Sequence, residues 1–243
     1  VDKDAAHDAE SSAMSEREPV IVFALFPGVT QLDFTGPHQV FSMLPGGEVI
    51  VASTEGGTLA SSGLIFAGLR RLSDIAECDV ICVPGGRGVT DNAIRDEIFL
   101  RELRRLAHGA RYVTSVCRGS LALGAAGLLR GKRAASHWLW RDFVAAFGGI
   151  PDAARVVRDG NVITGGAVTA GIDFALTVVA ELAGEDAAKA IQLQIEYAPE
   201  PPFDAGRPET APPELVARMR ERSGAAAVRE AVDAAVARLA AAG

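Results

Sequence analysis

Two hydrophobic rhythms succeed one another along the chain from Pro19 onward. Val20–Phe26 (VIVFALF) is a continuous apolar run, the pattern of a strand covered on both faces in a parallel sheet. Asp79–Val83 and Tyr112–Val116 repeat it, the first ending at Pro84-Gly85-Gly86 and the second at Cys117. Between them, Asp91–Ala107 carries Ala93, Ile94, Ile98, Leu100, Leu103, Leu106 and Ala107 at near-helical spacing. Strand, helix, strand predicts a βαβ crossover and so a parallel pair. Glu48–Ser53 and Thr58–Gly68 read as further strands, with turns at Gly56-Gly57 and Ser61-Ser62-Gly63. Asp159-Gly160 between two Val/Ile-rich arms predicts a hairpin over Arg155–Thr164. Leu139–Phe147, Ala170–Leu182 and Asp186–Tyr197 read as helices. Pro199–Pro213 is irregular, and Pro213–Ala242 is an Ala/Arg/Glu-rich helical region. The sum is an α/β chain with a doubly wound, mostly parallel sheet and flanking helices in a single domain over 19–243. Residues 1–18 are polar, acidic and aperiodic, with neither the basic start nor the apolar centre of a signal peptide, and read as a disordered tail or appended remnant.

Composition narrows this picture. Of 243 residues, 43 are Ala, so the core relies on fewer large side chains than the 49% hydrophobic fraction suggests. The net charge of −7, without any Lys/Arg-rich tract, argues against nucleic acid or an anionic membrane as partner. Leu121–Leu129 is the longest nearly unbroken apolar run, too short to span a bilayer. Three cysteines cannot all pair with one another, which points to a cytoplasmic protein rather than a disulfide scaffold.

Position separates those cysteines. Cys117 stands where a predicted buried strand gives way to a predicted helix, between Ser115 and Gly119. Small residue, nucleophile and small residue at this spacing describe a strand-to-helix elbow, because only small neighbours permit so sharp a turn. The N-terminus of the following helix is expected to lower the thiol pKa, and the carboxyl end of a central strand is where open α/β sheets keep their sites. Cys78 and Cys82 fit core or strand-edge packing, and their spacing matches neither a redox pair nor a common zinc half-site. Pro84-Gly85-Gly86-Arg87-Gly88 matches no dinucleotide or P-loop fingerprint. It is either a plain βα turn or, through the N–H of Gly86 with that of Arg118, an oxyanion hole. Asp33 is either a helix N-cap or Asx-turn residue, or a general acid/base beside Cys117. His137 beside Trp138 reads as packing before catalysis.

Here the sequence resembles the ThiJ/PfpI superfamily of class I glutamine amidotransferase-like proteins, and specifically its isocyanide hydratase branch. Leu25–Val29, Leu32–Pro37, Ser61–Leu64, Val80–Gly86, Tyr112–Cys117, Leu123–Leu129, Thr164–Gly166, Thr169–Leu176 and Gln192–Pro199 carry the resemblance, from about Val20 to the C-terminal helix. It implies a homodimer of flavodoxin-like domains that hydrates small-molecule isocyanides to N-substituted formamides through a thioimidate, with no metal or organic cofactor. Carried over, Cys117 is the nucleophile and Asp33 the acid/base; Gly86 and Arg118 remain candidate backbone donors, and His137 and Val168 candidate pocket residues. The chain departs from the branch at Arg118, where a Thr is expected, and at Ala167 and Val168, where Gly and Ile are expected. A guanidinium beside the thiol would stabilise a thiolate, fill the pocket or pair with Asp33, altering the activity. Several of these motifs are shared with the amino-terminal sensor domains of AraC-type regulators, although Pro213–Gly243 holds no helix-turn-helix pattern. A third reading makes Cys117 an oxidation-sensing thiol, but stress proteins of that type in the superfamily place Glu rather than Asp beside it.

Overall fold

The computed structural model describes residues 18–242, so all but the last residue of the segment expected to be a tail lies outside the described residues. Its centre is an eight-stranded sheet: β1 (Val20–Leu25), β2 (Glu48–Ser53), β3 (Gly57–Ser61), β4 (Leu64–Arg71), β5 (Val80–Val83), β6 (Tyr112–Val116), β9 (Val156–Asp159) and β10 (Val162–Gly165). The order is β3-β4-β2-β1-β5-β6-β10-β9. The six strands from β4 to β10 run parallel, while β3 and β9 close the edges antiparallel. From β1 the chain winds outward first to β2 and later, in the other direction, to β5 and β6. The order therefore reverses between β1 and β5, the switch point at which flavodoxin-like α/β folds leave a crevice. β7 (Arg133–Ala135) and β8 (Ile150–Asp152) form a separate parallel pair that their short, Ala- and Pro-containing sequences do not announce.

Burial explains the central strands. Ile21 to Leu25 and Val80 to Val83 are all inaccessible to solvent, as continuous apolar runs require when helices cover both sheet faces. The covering helices are α1 (Gln31–Phe41), α2 (Glu97–Gly109), α3 (Gly119–Ala125), α4 (Ala170–Ala183), α5 (Glu185–Gln194), α6 (Pro213–Glu221) and α7 (Ala225–Ala242). Among the described residues no helix is long and apolar enough to cross a membrane. The last helix is integral to this layer: Val228, Ala231, Val232 and Ala235 are buried in the common core.

Two expectations need correction, and one helix goes without one. The helix expected over Asp91–Ala107 is broken at Asn92, whose backbone leaves helical space at φ −131°, and restarts at Asp96, whose carboxylate accepts from the Phe99 N–H at 3.0 Å. An N-cap thus overrode a periodicity that runs through it. Arg141–Phe147 is a 3₁₀ helix and not an α-helix. The helix α1 goes unannounced because Gly36-Pro37 inside it reads as a breaker. Aromatic packing holds it regardless, with Phe23 of β1 meeting Phe34 and Phe41 at ring separations of 5.2 and 5.9 Å. Both hairpin turns form as expected. Ser62 and Gly63 turn β3 into β4 with positive φ, and Gly160, also at positive φ, turns β9 into β10.

Candidate functional site

Three loops leave the carboxyl ends of β1, β5 and β6 and meet at the switch point. The first two are stapled together: the Thr30 N–H donates to the Gly85 carbonyl at 2.9 Å, and the Gly88 N–H to the Gly28 carbonyl at 2.9 Å. The Gly85 N–H in turn donates to Asp33 Oδ2 at 3.0 Å. Asp33 lies inside the first turn of α1, where Thr30 occupies the N-cap position, so it does not cap its own helix. Its side chain satisfies a backbone donor from a loop far away in sequence, which fixes the carboxyl over the start of the β5 loop.

The β6 loop supplies the sulfur. Cys117 follows Val116 with φ +56°, a left-handed conformation that costs a non-glycine residue roughly 1–2 kcal/mol. Its N–H donates to the Gly165 carbonyl at 2.8 Å. The expected elbow is therefore real, and its small neighbour has a specific cause: a Cβ on Gly119 would sit 2.1 Å from the Val83 carbonyl oxygen. Gly85 is the point of convergence. A Cβ there would lie 2.5 Å from Asp33 Oδ2, 2.6 Å from the Arg118 nitrogen and 2.9 Å from Cys117 Cβ. Replacing Gly85 with Ala is accordingly expected to cost about 2 kcal/mol of stability and to push Asp33 off the thiol. Denaturant unfolding and the accessibility of Cys117 to a thiol reagent measure the two effects.

Asp33 and Cys117 face each other closely enough to share a proton, and burial governs both. Asp33 is fully buried, and desolvation lifts its pKa from 3.8 to about 7 against the opposing hydrogen bonds of Cys117 and Gly85. Its Oδ1 makes no directed hydrogen bond among the described residues. Burial pushes the Cys117 thiol well above 9, and the Asp33 charge pushes it the same way; the Arg118 N–H and guanidinium oppose them without prevailing. The lowered thiol pKa expected from the helix N-terminus is thus not found, because α3 is short and Cys117 is only 6% exposed. Near neutrality the pair carries one proton or two, and it titrates as a unit.

Above the thiol is a cavity of about 320 Å³. It is lined by Gly86 and Arg87 of the β5 loop, by His137 and Trp140, and by Val168. The Gly86 N–H donates to no backbone carbonyl among the described residues, and the Arg118 N–H is directed at the Cys117 sulfur. His137 is held to about pKa 4, first by burial and then by the Arg118 charge, so it is neutral near pH 7. It lines the cavity as a neutral imidazole. The Arg118 guanidinium neither pairs with Asp33 nor fills the cavity. It lies 4.1 Å from the Trp140 ring centroid and donates weakly to Thr90 Oγ1 at 3.4 Å.

All the residues expected at the site therefore converge. The expected list lacks Thr30, Arg87, Leu139 and Trp140, together with Met219, Arg222 and Ser223 from the end of α6 and just beyond it, which reach the cavity from far along the chain. The two Trp and the Arg of Arg118 are the sequence signal for Trp140, since stacked Arg–Trp pairs are common partners; α6 offers no such signal. Among the described residues no group of three or more His, Cys, Asp or Glu side chains gathers as metal ligands would.

Comparison with known proteins gives this geometry its context. The profile of the DJ-1/PfpI family matches residues 19–181. The isonitrile hydratase of Pseudomonas putida is 52% identical over 204 residues, covering 84% of this chain and 89% of that protein. The crystal structure of a ThiJ/PfpI family protein from Pseudomonas syringae superposes with a TM-score of 0.85 at 40% identity, covering 92% and 94% of the two chains. The HTH-type transcriptional regulator GlxA of Rhizobium meliloti is 31% identical over 165 residues, but only 50% of its own length is covered.

Proposed function

The chain belongs to the DJ-1/PfpI family, and from that premise we propose that it is an isocyanide hydratase, a lyase converting isocyanides to N-substituted formamides with Cys117 as nucleophile. One observation carries the reading: a buried, hydrogen-bonded Cys117–Asp33 pair beside a small cavity, in a chain 52% identical to an isonitrile hydratase.

The chemistry uses that pair throughout. With Asp33 ionised, its carboxylate takes the thiol proton as the sulfur attacks the terminal isocyanide carbon. The S–C bond forms, and the proton held by Asp33 passes to the same carbon, giving a thioimidate, R–N=CH–S–Cys117. Asp33, again a carboxylate, removes a proton from water as the oxygen adds to the imidoyl carbon and passes it to the nitrogen, giving R–NH–CH(OH)–S–Cys117. The C–S bond then breaks as the carbonyl forms, the hydroxyl proton passes through Asp33 to the thiolate, and R–NH–CHO leaves. Isocyanide plus water equals formamide, with no oxidant, reductant or cofactor in the balance. The N–H groups of Gly86 and Arg118 serve as donors to charge that develops beside the sulfur. We include in the proposal a homodimer and a cytoplasmic setting; the exposed Leu64 and Ile65 on the β3–β4 hairpin offer apolar surface for self-association.

Burial weighs against an oxidation sensor, because a protonated and 6% exposed thiol reacts slowly with peroxide. Incubation with 4-nitrophenyl isocyanide and absorbance detection of the formamide tests the proposal. Multiple turnovers by the wild type are expected, and none at any protein concentration would refute it.

A further inference from the structure

We propose that the site is built for isocyanides that also carry a carboxylate, held by the Arg118 guanidinium on the cavity wall. This rests on the hydratase reading and names its substrate class. Three observations lead to it.

First, Arg118 is a half-buried cation without a counter-ion. Among the described residues it makes no ion pair, and its partners are a ring face and one weak hydroxyl contact. Most guanidiniums that lose so much water gain a carboxylate in exchange. The carboxylates that act on it at longer range are otherwise engaged. Asp91 is paired with Arg87 at 3.0 Å, and Asp33 shares its proton with Cys117. Second, the cavity it lines also receives Arg87 and Arg222 and not one carboxylate. In a chain of net charge −7, three arginines lining one cavity, of which Arg87 alone is ion-paired among the described residues, favour an anion there. Third, the guanidinium is already ordered against Trp140, so its planar fork is presented with little entropy left to lose. A planar carboxylate matches that fork with two parallel hydrogen bonds. Because Arg118 directly follows Cys117, a substrate anchored there keeps its isocyano carbon in the same small cavity as the sulfur.

The test compares substrates that differ in charge alone: isocyanoacetate and methyl isocyanoacetate. Wild-type kcat/KM is expected to favour the anion by about tenfold or more, mainly through KM, and added salt should shrink the preference. Arg118→Gln should lower that ratio by about tenfold, and Arg118→Lys should restore part of it. A ratio at or below one in the wild type, or one that Arg118→Gln leaves unchanged, would overturn the inference while leaving hydration of the neutral ester intact. If neither compound is hydrated, the function reading fails and binding decides separately. Trp140, one of the two tryptophans of the chain, lines the cavity, so tryptophan fluorescence reports occupancy. Saturable quenching by N-formylglycinate, absent with its methyl ester and weakened in Arg118→Gln, supports the carboxylate site; equal response to both overturns it.

Discussion

Replacing Cys117 with Ala is expected to abolish isocyanide hydration, lowering kcat/KM by about four orders of magnitude or more, as loss of a nucleophile does when the remaining groups act only through it. Asp33, the two backbone donors and the cavity all survive the change, yet none of them can form the bond to carbon. The fold should survive as well. The sulfur fills little volume, and the left-handed backbone at φ +56° is imposed by Gly119 against Val83 and by the Cys117–Gly165 hydrogen bond, not by the side chain. Cys117→Gly separates strain from chemistry: equally inactive, it should be more stable than Cys117→Ala by about 1 kcal/mol, because glycine adopts this φ without penalty. Neither remaining cysteine can substitute. Cys82 is buried within β5 with its thiol pushed up to about 12, and Cys78 is buried just before that strand. Residual turnover in Cys117→Ala would therefore remove the nucleophilic mechanism altogether.

The elbow was legible in sequence because its causes are local. A continuous apolar strand, a small residue either side and an Ala/Leu/Gly helix are contiguous signals, and they place Cys117 correctly without any tertiary information. Asp33 was only half legible. Its residue type and its place after β1 mark it as a candidate, but the choice between cap and acid depends on the Gly85 N–H, which arrives from the β5 loop. The thiol pKa departs from the sequence expectation for a related reason: a helix N-terminus can be read from sequence, whereas the desolvation that outweighs it is a sum over every neighbour. The same holds for Arg118, whose direction is decided by Trp140, and for α6, whose residues reach the cavity from the end of a Pro-rich segment. Helix α1 shows the limit from the other side, since Pro37 signals a break that the packing of Phe34 and Phe41 on Phe23 overrides.

Replacing Asp33 with Asn should inactivate the protein and stabilise it in the same stroke. The activity follows from the proton count: an amide cannot accept the thiol proton, so kcat/KM is expected to fall by about two to four orders of magnitude. The stability follows from linkage. Asp33 ionises near 3.8 when unfolded and at about 7 when folded, so between those values the native state holds a proton that the unfolded chain has released. Native stability from this group is then greatest below 3.8, declines as the pH rises toward 7, and stays at its lowest above that. The displacement corresponds to about 4 kcal/mol as an upper bound. Asn keeps an oxygen to accept from Gly85 and carries no charge to desolvate. A net gain of about 2 kcal/mol near pH 8, or a Tm higher by roughly 4–8 °C, is expected, with a clearly smaller gain near pH 5. The wild-type pH–rate profile should rise through about 7 for the same reason, since the resting pair must lose one proton before it can attack. An Asn variant that is less stable than wild type at every pH would show that the carboxyl serves the fold. A stabilised, inactive variant would mean that the fold carries a buried charge at a cost, and that the reaction with the thiol is what retains it.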